Sequence, residues 1–116
     1  MRLTREALAM LDIPLQLATV LPGRGWRPPE QDQVKINIDA TTLQDEGKSK
    51  AGGVARAPTT FLGAWCKLHP GVTDPMIAEA LAVRDGVIFV NLKGYSNIVM
   101  ETDSLDVINL WNHQFF

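Results

Sequence analysis

The clearest alternation of apolar and polar side chains runs from position 34 to position 40. Its apolar residues, Val34, Ile36 and Ile38, fall on one face of an extended strand, and its polar residues fall on the other. The last polar position is Asp39, a residue type that is disfavoured in strands and costly to bury without a partner. The pattern therefore predicts a half-buried strand that ends on a candidate functional residue.

The remaining pattern predicts a strand meander followed by a helix, a strand and a second helix. A polar loop is expected over 43–50, because apolar residues are scarce there. Asp74 and Pro75 are typical of a helix N-cap and first helical position, and Gly94 is typical of a helix end. The predicted ranges are strands 52–57 and 60–68, helix 75–92, strand 97–102 and helix 104–112.

The division between leader and domain is predicted at residue 33, giving a leader or linker over 1–33 and one domain over 34–116. A short helix is expected over 4–11, and later Pro-Gly and Pro-Pro pairs indicate turns or linker. Glu6 and Asp12 interrupt the apolar core that a signal peptide needs, and no apolar run approaches the roughly 18 residues of a membrane span. We expect an intracellular protein without a membrane partner, in a compartment that the sequence leaves open.

The composition of the chain excludes only a few classes of function. The chain has 116 residues, a net charge of −2 and one cysteine, Cys66. These values fit one domain and exclude an internal disulfide or a cysteine-rich zinc site. There is no overall basic charge to attract nucleic acid, so such binding would need metal ions or a local basic patch. The candidates for phosphate contacts are Lys48, Lys50, Arg56 and Lys67.

Three carboxylates occupy positions that are unusual for their predicted elements: Asp39 on a strand, Glu79 in an apolar helix stripe and Asp103 at a strand end. Each has a structural explanation. Asp39 can begin a turn, and Asp103 can cap the second helix. Glu79 can extend from the helix edge to solvent, or pair with Arg84 or Lys93.

Together, however, the three carboxylates are typical of a site for a hard cation. Mg²⁺ or Mn²⁺ binds oxygen ligands, and Mg²⁺ also accepts phosphate oxygens of a substrate. Two such ions about 3.5–4 Å apart can activate water and stabilise a leaving oxygen in phosphodiester hydrolysis. Clustered carboxylates repel one another without a cation, which favours a metal site with two ions if the ligand set is complete.

Four segments in this order resemble the type 1 ribonuclease H domain, and most closely its plant, retroelement-related branch. They are KINIDAT, AGGVARAPTTFLGAWCKL, DPMIAEALAVRDG and SNIVMETDSLDVINLW. The preceding Trp26-Arg27-Pro28-Pro29 is similar to the linker of that branch, so the resemblance covers most of the chain.

The resemblance implies an α/β fold of the ribonuclease H-like kind, with three antiparallel strands followed by a parallel strand and packed helices. It implies that Asp39 is the metal-bridging aspartate of the first strand, Glu79 the helix glutamate and Asp103 the aspartate that closes the fourth strand. The implied activity is endonucleolytic hydrolysis of the RNA strand of an RNA–DNA hybrid, with RNA preference resting on 2′-hydroxyl contacts.

The chain also departs from the family pattern. The sequence ends before the fifth strand, the fourth acidic ligand and the C-terminal helix of the family, and Ala40 stands where glycine is usual. Asp106 is too close to Asp103 to be the fourth ligand, and His113 fits an exposed bystander better. We therefore expect an open edge at the fourth strand and weak or no cleavage by these 116 residues. Two alternatives stay open: a nucleic-acid-binding remnant without turnover, and a structural fragment of the same fold.

Overall fold

The computed structural model of the chain describes the backbone of residues 15–19 and both backbone and side chains of residues 32–104. The predicted helices at 4–11 and beyond residue 104 lie outside these ranges. The described part of the chain folds into one sheet and one long helix. The strands are β1 (Leu15–Thr19), β2 (Val34–Leu43), β3 (Lys48–Arg56), β4 (Phe61–Pro70) and β5 (Ile98–Thr102), and the helix is α1 (Pro75–Lys93).

The sheet has the strand order β1-β5-β2-β3-β4. The strands β2, β3 and β4 form an antiparallel meander, and β5 joins β2 in parallel after the α1 crossover. This arrangement confirms the predicted mixed α/β sheet of three antiparallel strands and one parallel strand. The buried core lies between the sheet and α1 and includes Ile36, Ile38, Val83, Val87 and Met100.

The edge expected at the fourth predicted strand is not open, and that prediction was wrong. β1 pairs with β5 in parallel, from Leu15 opposite Ile98 to Thr19 opposite Thr102. This strand lies inside the segment predicted as leader. Its sequence LQLAT alternates apolar and polar residues over only a few positions, and the nearby prolines favoured a linker. The boundary at residue 33 stays a prediction.

The hairpin between β2 and β3 is longer and tighter than predicted. Half of the predicted loop at 43–50 belongs to the strands, and only the turn Gln44–Glu46 and Gly47 connect them. Gly47 adopts a left-handed φ of 65°, which costs glycine little because it has no Cβ. The polar residues of this segment indicated a loop. In the structure, the residues at its two ends instead lengthen the antiparallel strands β2 and β3.

The helix α1 has the predicted ends. The Asp74 side chain accepts hydrogen bonds from the backbone N–H groups of Met76 (2.8 Å) and Ile77 (3.4 Å), and Gly94 closes the helix in a left-handed conformation. The helix stripe that contains Glu79 is buried at Val83, Gly86 and Val90, whereas Ile77 and Ile88 of α1 are exposed. Within the described residues, no helix has the length and apolar character needed to cross a membrane.

A buried polar contact fixes α1 to the outer strand β4. The His69 Nε2 atom lies 2.6 Å from an Asp85 carboxylate oxygen, and both side chains are almost fully buried. The other Asp85 oxygen accepts a hydrogen bond from Arg84 at 3.2 Å. Because an unpaired carboxylate is costly to bury, these partners define how the middle of the helix docks on the sheet. The strand predicted over 60–68 extends to Pro70 and so includes His69.

Two glycines make room for Trp65 between the sheet and α1. A Cβ atom at Gly53 would lie 1.9 Å from the Trp65 ring, and one at Gly86 would lie 2.8 Å from the Met100 methyl group. The Trp65 ring also stacks on Phe89 at a centroid distance of 4.9 Å. Gly86 weakens a helix in isolation, but here it allows close approach of helix and sheet.

We expect Gly53→Ala to destabilise the fold by about 1–3 kcal/mol, because the new methyl group would force the Trp65 ring out of its packed position. Urea unfolding of the variant measures this loss. A second substitution, Trp65→Leu, removes the clash, so the double variant should lose less stability than the sum of the single variants. Additive losses would show that Gly53 does not act through Trp65.

Candidate active site

Asp39 lies within β2, two residues beyond the last pair of β2 with β5, on the sheet face opposite α1. Its neighbour across the β2–β3 ladder is Gly52, which places no side chain beside it. One Asp39 oxygen accepts a hydrogen bond from the Ala40 backbone N–H at 2.9 Å, and the side chain is exposed. The turn that the structural explanation placed at Asp39 does not form, because β2 continues to Leu43, and the Asp39 carboxylate stays open to solvent.

Asp103 follows β5 directly. The parallel pairing of β2 with β5 ends at Asn37 opposite Glu101, so Asp39 and Asp103 each come two residues after the last paired row. Two residues is one full strand period, and both carboxylates therefore continue on the same face where the two strands separate. The predicted helix that Asp103 would cap lies outside the described residues.

Glu79 approaches from the helix side of the sheet, in the second turn of α1. Its side chain is partly buried, and its Oε2 atom is buried without a hydrogen-bond partner. The alternative partners Arg84 and Lys93 have contacts elsewhere: Arg84 binds Asp85, and the Lys93 ammonium lies 5.8 Å from the centre of the Phe89 ring. A buried carboxylate oxygen without a partner is energetically costly and indicates a missing positive ligand.

The three carboxylates meet at one point. One oxygen from each of Asp39, Glu79 and Asp103 lies within 4.8 Å of the others, and this is the one such group of metal-binding side chains in residues 32–104. Two oxygens bound to one Mg²⁺ at 2.0–2.1 Å are at most about 4.2 Å apart. Small side-chain rotations therefore suffice for these oxygens to share a cation, and the all-oxygen donor set suits Mg²⁺ or Mn²⁺.

The electrostatics of the cluster appear most clearly at Glu79. Burial, and after it the negative charges of Asp39 and Asp103, together raise the pKa of the Glu79 carboxyl from 4.5 to about 7. Below about pH 7 this carboxyl is therefore mostly protonated when no cation is bound. A divalent cation would replace that proton and neutralise the repulsion, so the cluster fits the predicted metal site.

The basic residues proposed for phosphate contacts divide between the two sheet faces. Lys50 is exposed and is paired with Thr41, so it lies on the same face as Asp39, two residues further along the hairpin. Lys48 and Arg56 share this face by strand alternation, although Lys48 pairs with Glu46 at 3.2 Å. Lys67 lies on the helix side, 4.0 Å from Asp85. The face of Asp39 is therefore the more basic side of the meander.

A polar group beside the carboxylates was not singled out by sequence. Lys35 and Asn37 both contact Glu101, on the same face as Asp39 and Asp103. The signal that could have found them is strand parity, because Glu101 precedes Asp103 by two residues just as Asn37 precedes Asp39.

We expect Glu79→Gln to stabilise the metal-free protein above about pH 7. The Glu79 carboxyl is harder to ionise in the fold than in the unfolded chain, so wild-type stability falls as pH rises from about 4.5 to 7. A neutral amide removes this loss. The urea midpoints of the wild type and of Glu79→Gln, measured in EDTA, should therefore be similar at pH 5. At pH 8 the midpoint of Glu79→Gln should be higher.

Asp45→Asn is the matched control, since Asp45 is an exposed acid in the β2–β3 turn. A Glu79→Gln variant whose stability follows the wild-type pH dependence would contradict the electrostatic description of the cluster.

The comparisons with known proteins agree with this geometry. A family model described as reverse transcriptase-like matches residues 37–115, a range that contains all three carboxylates. No curated protein matches this sequence. The match covers more than half of the chain, and the mixed sheet with its parallel fourth strand is the ribonuclease H-like arrangement. The chain therefore belongs to the reverse transcriptase-like family of ribonuclease H-like domains.

Proposed function

We propose that this protein is a metal-dependent endonuclease that hydrolyses the RNA strand of RNA–DNA hybrids, with Asp39, Glu79 and Asp103 as its metal ligands and catalytic residues. The observation that carries the proposal is the meeting of three carboxylates from three elements within 4.8 Å. The unpartnered Glu79 oxygen supports a cation at this point. The plant, retroelement-related origin suggested by the sequence belongs to the same proposal.

The chain's own residues would hold Mg²⁺ or Mn²⁺ from two sides. Asp39, Glu79 and Asp103 would hold the cations through their carboxylate oxygens, with Asp39 in the role of the family's first-strand aspartate. Bound cations supply water activation and stabilisation of the leaving oxygen in phosphodiester hydrolysis. The protein supplies fixed oxygen ligands whose negative charges favour the cations over free solution.

The state of Glu79 links metal binding to pH. Since its pKa is about 7 in the metal-free fold, binding of a cation below that pH must release a proton. Metal affinity, and the hydrolysis that depends on it, should therefore rise with pH until Glu79 is fully ionised.

The sheet face around Asp39 suits a phosphate backbone. Gly52 has no side chain that would block access to Asp39. The exposed Lys50 places a positive charge further along the same face. A nucleic acid lying across this face would bring a phosphodiester to the carboxylates while a neighbouring phosphate meets Lys50. Recognition of 2′-hydroxyl groups would select the RNA strand, since this group distinguishes RNA from DNA.

The direct test is single-turnover cleavage of an end-labelled RNA–DNA hybrid by excess protein, with Mg²⁺, Mn²⁺ or EDTA. We expect at most slow, metal-dependent cleavage of the RNA strand by these 116 residues and no cleavage of duplex DNA. Asp39→Asn should reduce the rate by more than about a hundredfold, because metal contacts contribute several kcal/mol to transition-state stabilisation. Excess protein keeps slow turnover measurable.

Asp45→Asn serves again as the control, since it removes an exposed acid away from the cluster. Cleavage that survives Asp39→Asn would show that another protein or site is responsible. Hybrid binding without any metal-dependent cleavage would instead establish the alternative function, a nucleic-acid-binding remnant of the fold.

A further inference from the structure

A second polar group lies next to the carboxylate cluster, on the same sheet face. The Lys35 ammonium is 2.7 Å from one Glu101 oxygen, and the Asn37 amide donates to the other Glu101 oxygen at 3.4 Å. The side chains of Lys35 and Glu101 are only 10% and 15% exposed. This is an ion pair largely removed from water, unlike the Lys48–Glu46 pair in the hairpin turn, which is 35% and 60% exposed.

The position of this group in the sheet is what makes it informative. Asn37 opposite Glu101 is the last paired row between β2 and β5. Beyond this row β2 continues with β3, β5 continues with β1, and the carboxylates of Asp39 and Asp103 face each other across the opening. The contacts of Glu101 thus join the two strands at the point from which both carboxylates project.

Glu101 is itself an acid two residues from Asp103, but it is held away from the cluster. Both of its oxygens have partners on β2, and it is not among the three carboxylates that converge within 4.8 Å. A largely buried ion pair gains little net stability over apolar residues of similar size, because desolvation offsets most of the attraction. The position of this ion pair is therefore better explained by a role in orienting the neighbouring carboxylates than by a contribution to stability.

We propose that Lys35, Asn37 and Glu101 form a clamp that positions Asp39 and Asp103 for metal binding. The clamp sets the separation of β2 and β5 at their last paired row, and so the distance between the first carboxylates beyond it. Outer groups that orient metal ligands commonly change metal affinity by about 10–100-fold when removed. These three are positioning residues, since they act through Asp39 and Asp103. The inference rests on the proposed metal site, and it identifies the residues that hold the ligands of that site in position.

The decisive variant removes the clamp without changing net charge. Lys35→Met with Glu101→Met deletes one positive and one negative charge and keeps the side-chain volumes similar. We expect its dissociation constant for Mn²⁺, measured from the free-ion EPR signal, to be about tenfold larger than that of the wild type. Thermal stability should change little, because apolar replacement of a buried pair is often neutral or favourable.

The single variant Lys35→Met separates positioning from simple electrostatics. Removing a cation near the site should tighten Mn²⁺ binding if charge alone matters, whereas loss of the clamp should weaken it. The matched control is Lys48→Met with Glu46→Met, which deletes the exposed hairpin pair and should leave the affinity unchanged. An unchanged affinity in the Lys35→Met, Glu101→Met protein, or tighter binding by Lys35→Met, would overturn the clamp.

Crystal structures of the metal-free wild type and the double variant keep this inference distinct from the proposed function. Without the clamp, the oxygens of Asp39, Glu79 and Asp103 should no longer lie within 4.8 Å of one another. An unchanged cluster would refute the positioning role. A wild-type protein that binds no Mn²⁺ would refute the proposed metal site, and the positions of the carboxylates would still decide whether the clamp sets their separation.

Discussion

The repulsion among three carboxylates is the constraint around which this structure is arranged. Asp39 and Asp103 reach the same point from two strands, and Glu79 reaches it from the helix. The partial burial of Glu79, and after it the repulsion from Asp39 and Asp103, oppose ionisation of Glu79, which is why its pKa lies near 7. A protein fold tolerates such a cluster when the surrounding elements are held firmly enough that the side chains cannot move apart.

The surrounding contacts provide that restraint from several directions. Asp74 fixes the start of α1 one turn before Glu79, and the contact of His69 with Asp85 fixes the middle of the helix on β4. Gly53 and Gly86 bring helix and sheet close enough for Trp65 to fill the space between them. These interactions are distant from the carboxylates, but each limits a movement that would carry Glu79 away from the strands.

Much of this organisation could be predicted from sequence because strand alternation and helix caps are local signals. The alternation in β2 gave the face of Asp39, and Asp74 with Pro75 gave the start of α1. The carboxylate cluster needed the family resemblance as well, since its members are far apart in sequence. What could not be predicted depends on contacts between distant segments. β1 is too short to be recognised without its partner β5, and the bond between Asn37 and Glu101 depends on the register of two strands.

The pairing of β1 with β5 also has a consequence for how the chain folds. Leu15 pairs with Ile98, so this contact closes a loop that contains every other described element. Closing a long loop costs more chain entropy than forming the hairpins of the meander, and pairings between distant segments slow folding. During synthesis β1 leaves the ribosome first but acquires its partner only after the meander and α1 have been made. We therefore expect β1, the first of the described strands, to be the last of them to pair in the sheet.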